Sequence, residues 1–373
     1  MLSLDGFRWD YPELYDTPNL DKIASHGVRA KSLKPCFPTK TFPNHYSIAT
    51  GLYPDHHGIV QNSFYDSALE RYYSIHDRES VEDPSFYSGE PIWITAEKQG
   101  IISASYFWIG SEAPVDGMYP TFWKKYDHSF PFQARADSVI AWLQLPEKNR
   151  PRLILWYIDE PDSKGHDYGP DSPGLSATIE YLDGLIGVFI AKLDELPIRD
   201  RINLIITSDH GMGTISPERY HNLHNFVDTS LFEVIIGYNP NYLFQAKPGF
   251  YEEAYEDLED VPHVSFWESD NLPDRFHYGN NPRTLDFVMV ADSSWSIGWR
   301  EPDDTFPKGG HGYDNENTDM HAIYYATGPD FKEGYVHDVF MNIDIYSLIS
   351  HILQITPSET DGNFERVKGM LKD

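Results

Sequence analysis

Four short apolar runs punctuate this chain: Ile101 to Trp108, Leu153 to Ile158, Ile202 to Thr207 and Ala322 to Ala326. They are rich in Ile, Leu and aromatic residues and do not alternate with polar ones, as strands buried on both faces do. Helical periodicity fills the intervals, at Pro91 to Gln99, Phe130 to Leu145, Leu175 to Leu196 and Ile343 to Leu353. Strands joined by helices pair in parallel, and the helices then cover both faces of the sheet. The expected fold is therefore α/β, with a mostly parallel central sheet and helices on both faces. Residues 1–373 are read as one body, with a smaller late insertion at 231–308 that is richer in Pro, Asn and aromatics.

Lys plus Arg number 29 and Asp plus Glu 58, a formal charge of −29. Such a field repels phosphate backbones and anionic membrane surfaces, so a nucleic-acid duplex is not an expected partner. An anionic substrate would need a local counter-field, and bound cations supply one best. Cys36 is the only cysteine, which excludes an intramolecular disulfide and a Cys-based zinc cluster. No apolar run reaches the roughly 18 residues of a membrane span, so none is expected. Leu2-Ser3-Leu4-Asp5 lacks the pattern of a signal peptide and reads as the end of a strand. That points to a start further upstream and leaves the compartment open. No feature indicates a protein partner.

In open α/β sheets, sites form at the carboxyl ends of the strands. Leu2-Ser3-Leu4 ends at Asp5; Ile202 to Ser208 ends at Asp209-His210-Gly211; Leu153 to Ile158 runs into Asp159-Glu160-Pro161-Asp162 and then Gly165-His166. His311 stands in Gly309-Gly310-His311-Gly312, where glycines permit close backbone approach. Three Asp and three His without thiolates suit zinc, and two such ions can clamp a phosphoryl group. Each residue also has a plain reading: a strand-end Asp caps turns, and a loop His is satisfied by backbone groups. The set is stronger than its members because each follows a strand-like run or a glycine turn.

Pro38-Thr39-Lys40-Thr41-Phe42-Pro43-Asn44-His45 precedes a helical run from Tyr46 to Thr50. A hydroxyl before a helix start meets unpaired amides and the positive end of the dipole, which favour an oxyanion. Thr41 is thus a candidate nucleophile once a base or metal removes its proton, with a simple N-cap as the alternative.

The segments Asp5-Gly6-Phe7-Arg8, Phe37 to Ile48, Thr50-Gly51-Leu52-Tyr53-Pro54, His57-Gly58-Ile59-Val60, Glu160 to His166, Ser208 to Met212 and Gly310-His311-Gly312 together resemble the ectonucleotide pyrophosphatase/phosphodiesterase family. That family belongs to the alkaline-phosphatase superfamily. The resemblance covers nearly the whole chain and implies a single alkaline-phosphatase-like catalytic domain holding two Zn2+ ions. It implies that Thr41 is the nucleophile and forms a covalent nucleotidyl intermediate. Asp5, Thr41, Asp209 and His210 would surround one zinc, and Asp162, His166 and His311 the other. Asn62 would donate to the phosphoryl oxygen. Phe42 and Tyr126 would sandwich a base in a pocket lined by Trp108 and Tyr157. The product would be a nucleoside 5′-monophosphate.

One cysteine and no flanking modules resemble the bacterial members, which implies a periplasmic or cell-envelope location if an export signal precedes this chain. A sulfatase reading fails. Cys36-Phe37-Pro38-Thr39-Lys40 lacks the required Arg, and the position nine residues before Thr50-Gly51 is Thr41. A choline-phosphodiester or lysophospholipid substrate remains open at this point, with Glu112 near Trp108 as a possible cation partner. A non-catalytic binding protein would be expected to lack a ligand or the nucleophile, and this chain has them all.

Overall fold

The computed structural model describes residues 1–372. An eight-stranded sheet forms its centre, made of β1 (Leu2–Leu4), β2 (Val28–Ala30), β3 (Ser103–Tyr106), β4 (Phe122–Lys124), β5 (Leu153–Ile158), β6 (Leu204–Thr207), β7 (Tyr324–Thr327) and β8 (Tyr335–His337). The spatial order is β8-β2-β7-β6-β1-β5-β3-β4. Every neighbouring pair is parallel except those of β7, which runs antiparallel to β2 and β6. The mostly parallel α/β fold expected from the sequence is the one observed.

Strand residues point alternately to opposite faces, and β5 shows why both faces must be covered. Leu153 and Leu155 join one apolar cluster, whereas Trp156 and Ile158 join a second. The first cluster is closed by helices α2 (Thr41–Thr50), α3 (Ile92–Lys98) and α7 (Asp344–Leu353), through Tyr46, Ile48, Trp93, Ile345 and Leu348. The second is closed by α1 (Pro18–His26), α4 (Phe132–Leu143) and α6 (Pro173–Asp194), through Leu20, Val139, Ile140, Leu182 and Phe189. Each such side chain taken out of water contributes about 1.5–3 kcal/mol.

The ends of elements differ from the sequence reading. β3 stops at Tyr106 because Phe107 takes a left-handed φ of 69°, so Phe107 and Trp108 leave the sheet. Helix α6, at 22 residues, is long and apolar enough to cross a membrane by length and composition alone. Leu175, Ile179, Leu182, Ile186 and Phe189 are buried along one side of it, the packing of a core helix.

Phe232–Tyr238, Asn241–Ala246, Phe287–Ala291 and Val264–Glu268 form a separate four-stranded antiparallel sheet. Phe244, Phe287 and Met289 pack with Ala254 and Leu258 of helix Tyr251–Glu259, while Leu243, Val288 and Val290 face the main core.

Candidate metal and nucleophile site

β1 lies between β5 and β6 and is parallel to both, so the three chains leave the sheet side by side at one edge. Asp5 follows β1, Asp209 and His210 follow β6, and Asp162 opens helix α5 (Asp162–Tyr168) just beyond β5. The turn after Asp5 needs glycine: Gly6 has φ 67°, and a Cβ there would sit 3.0 Å from Asp162 Cα. Its amide donates to Asp209 Oδ1 at 3.1 Å.

The side chains converge as two groups. Donor atoms of Asp162, His166 and His311 lie within 4.8 Å of one another, and so do those of Asp5, Asp162 and His210. Asp162 Oδ2 is 3.5 Å from His166 Nε2, and Asp162 Oδ1 is 3.6 Å from His311 Nε2. His210 Nε2 is 3.1 Å from Asp209 Oδ2 and 3.5 Å from Asp5 Oδ1.

In each of the three histidines Nδ1 faces a backbone carbonyl: Gly309 for His166 at 2.7 Å, Gly211 for His210 at 2.8 Å, Thr39 for His311 at 2.9 Å. A carbonyl only accepts, so the ring proton is at Nδ1 and Nε2 presents a lone pair to the carboxylates. Burial holds His210 and His311 well below the usual imidazole range, which keeps them neutral. Lone pairs facing carboxylate oxygens repel unless a cation lies between them. Asp5 Oδ1, Asp162 Oδ1 and Asp209 Oδ2 are buried and have no hydrogen-bond partner. Burial, then mutual charge, raises the Asp5 carboxyl well above its usual range, and burial raises that of Asp162. The donor set fits bound cations.

Thr41 is the first residue of α2 rather than the cap before it. Lys40 takes the cap position and makes no side-chain cap bond, so the simple N-cap reading of Thr41 falls. Thr41 Oγ1 lies 3.2 Å from His210 Nε2, at the positive end of the helix. Asn62 Oδ1 accepts the Phe42 amide at 2.9 Å, which leaves its NH2 as the free end beside the same helix turn.

The expected base residues divide. Phe42 and Tyr126 are half-buried, and Tyr126 lies 6.4 Å from Tyr157 between ring centroids. Tyr157 is buried and donates its hydroxyl to Asp5 Oδ2, so it orients a carboxylate as well as bordering Tyr126. Trp108, at 1% exposed, spends its indole N–H on the His45 carbonyl at 3.1 Å. It packs behind the site and offers almost no surface to a base.

His45 was not anticipated. It is fully buried, receives Ser3 Oγ at Nε2 (2.8 Å), donates from Nδ1 to the Thr41 carbonyl (2.9 Å) and lies 3.4 Å from Asp209 Oδ2. Its place one helical turn after Thr41 was the available signal. Lys40 was missed too: its ammonium donates to the Asn239 carbonyl at 2.8 Å, and burial lowers it to about 7.

Residues 1–314 match the family model described as type I phosphodiesterase / nucleotide pyrophosphatase. The chain is 38% identical over 384 residues to venom phosphodiesterase CdcPDE of Crotalus durissus collilineatus, covering 100% of this chain and 46% of that protein. It is 36% identical to human ectonucleotide pyrophosphatase/phosphodiesterase family member 1, covering 100% of this chain and 42% of that one. It thus spans less than half the length of these relatives. Human ectonucleotide pyrophosphatase/phosphodiesterase 5 superposes with a TM-score of 0.96 at 36% identity, covering 100% of this chain and 99% of that one. An inactive threonine-to-alanine form of murine ectonucleotide pyrophosphatase/phosphodiesterase 5, in complex with AMP, gives 0.95 at 34% identity, covering 100% and 98%. This chain belongs to the type I phosphodiesterase / nucleotide pyrophosphatase family of the alkaline-phosphatase superfamily.

Proposed function

We propose that this chain is a two-zinc phosphodiesterase that cleaves nucleotide phosphodiester and pyrophosphate bonds through Thr41, within one catalytic body that carries 231–308 as an insertion. The observation that carries the reading is the Thr41 hydroxyl at the start of α2, in contact with His210 beside three carboxylates that each have one buried oxygen without a hydrogen-bond partner. Asp5, Thr41, Asp209 and His210 would hold one ion, and Asp162, His166 and His311 the other. Oxygen and imidazole donors in sets of three or four suit zinc.

When bound, the ions supply the positive charge that acidifies the threonine hydroxyl and offsets charge growing on the phosphoryl oxygens. Thr41 Oγ1 attacks the phosphorus bearing the nucleoside, and the bond to the leaving oxygen on the opposite side breaks. Water then cleaves the threonine ester, releasing a nucleoside 5′-monophosphate and restoring the hydroxyl. The free NH2 of Asn62, at the positive end of α2, holds the phosphoryl oxygen as its charge grows. Phe42 and Tyr126 stack on the base, which tolerates any base because each has a π-face. The murine relative in complex with AMP supports this reading. The choline alternative loses its cation partner, because Glu112 is already paired with Arg78 and the Tyr126 amide.

The test is nitrophenol release from the p-nitrophenyl ester of thymidine 5′-monophosphate, with p-nitrophenyl phosphorylcholine and p-nitrophenyl phosphate beside it. The nucleotide diester should be strongly preferred, and Thr41→Ala should abolish turnover with the fold and metal content retained. A choline preference, or turnover surviving in Thr41→Ala, overturns the reading.

A further inference from the structure

Glu112 lies outside the metal cluster, yet it is 5% exposed and both its oxygens are engaged. Oε1 accepts the backbone amide of Tyr126, and Oε2 pairs with Arg78. Arg78 reaches Glu82 at 3.6 Å, and Glu82 in turn pairs with Lys125. Charges therefore alternate along Glu112, Arg78, Glu82 and Lys125, and the chain of ion pairs closes on the residue next to Tyr126.

The loop that presents Glu112 is fixed at several points. Phe107 holds its left-handed conformation at the end of β3, a strained state that persists only where the surroundings over-determine it. Ser105 Oγ accepts the Trp108 amide and donates to Ser111 Oγ at 2.7 Å, and Ser111 Oγ donates to the Trp108 carbonyl at 2.7 Å. Gly110 has φ 85°, and a Cβ there would fall 2.8 Å from the Tyr46 ring. The segment that Glu112 holds has less support of its own. Tyr126 follows β4, the last strand of the sheet, and belongs to no strand or helix. Its ring borders Phe107 at 5.3 Å and Tyr157 at 6.4 Å between centroids.

We propose that Glu112 is a positioning residue for base recognition: it carries the rigidity of the β3 loop to the Tyr126 backbone and so sets the ring for stacking. This rests on the nucleotide reading. An aromatic platform pre-set in place avoids an ordering cost at the moment of binding, so losing the clamp falls on binding of the nucleoside and spares the reacting atoms.

The experiment measures KM and kcat for the p-nitrophenyl ester of thymidine 5′-monophosphate and for methyl p-nitrophenyl phosphate, a diester with no base. Glu112→Ala should raise the nucleotide KM about tenfold, the order a lost base stack supplies, with kcat and the methyl-ester rate within about twofold of wild type. Glu112→Gln keeps an acceptor for the Tyr126 amide and should recover most of that KM. Arg78→Ala, at a side chain that is 37% exposed, should raise the same KM in the same direction by a smaller factor. Equal losses on both substrates, an unchanged nucleotide KM in Glu112→Ala and Arg78→Ala, or a Gln variant no better than Ala overturns the proposal. A wild-type protein that does not favour the nucleotide overturns the nucleotide reading beneath it; a preference that survives Glu112→Ala overturns the role of Glu112 alone.

Discussion

Replacing Asp209 by Asn should stabilise the metal-free protein and weaken the metal-loaded one. Asp209 is fully buried, and burial first, with Asp162 adding to it, lifts its carboxyl from 3.8 to about 7. Forcing it to ionise in the metal-free fold therefore costs about 4 kcal/mol relative to the unfolded chain. The folded pKa is the raised one, so the stabilisation from proton uptake is complete below about pH 4 and lost as pH rises through about 7. Asn carries no charge at any pH and keeps an Oδ1 for the Gly6 amide and the Ser208 hydroxyl, the bonds Asp209 Oδ1 now accepts. The advantage of Asp209→Asn over wild type in a chelator should accordingly grow by about 3 kcal/mol between pH 5 and pH 8. Chemical denaturation at those two pH values reads it, and Asp5, whose carboxyl the Asp209 charge helps to raise, adds to the difference in the same direction. Added zinc at pH 8 should stabilise wild type by mass action and the variant far less. A metal-free variant less stable than wild type at pH 8, or an advantage that ignores pH, would refute the view that these carboxylates are held for a cation.

Two further substitutions separate the parts of the site. Asp162→Asn should first release the ion held with His166 and His311, since both rings face Asp162; unchanged metal content after dialysis would show the ligand partition to be wrong. Asn62→Ala should lower kcat by about 10²–10³ through loss of a donor to the phosphoryl oxygen; steady-state kinetics in which only KM moves would assign Asn62 to binding alone.

The strand cores were legible because a strand buried on both faces must be apolar throughout, as Leu153 to Ile158 is. The three-residue strands Val28–Ala30, Phe122–Lys124 and Tyr335–His337 were not, since Arg29, Lys124 and His337 leave no sustained apolar run. Strand direction was hidden as well: Tyr324–Thr327 reads like its neighbours but pairs antiparallel. Phe107 and Trp108 read as strand because their apolar character records burial, not backbone conformation. The three Asp and three His could be named from the strand ends, but the features that aim the histidines are backbone carbonyls of Thr39, Gly211 and Gly309. Any residue supplies a carbonyl, so no letter in the sequence marks them.

His311, the last of the candidate ligands, shows how residues far apart in the chain come to one place. His311 lies 101 residues beyond His210 in the numbering of the chain, after the second sheet, yet its position is set locally. Gly309 and Gly310 pair antiparallel with Thr214 and Gly213, only a few residues after His210. The Lys308 amide donates to the His166 carbonyl at 2.8 Å, and the Gly309 carbonyl receives His166 Nδ1. A Cβ on Gly309 would stand 2.3 Å from the Gly165 carbonyl oxygen, so only glycine permits this approach. His166, His210 and His311 are thus joined through a short backbone ladder, formed where the chain returns from the second sheet.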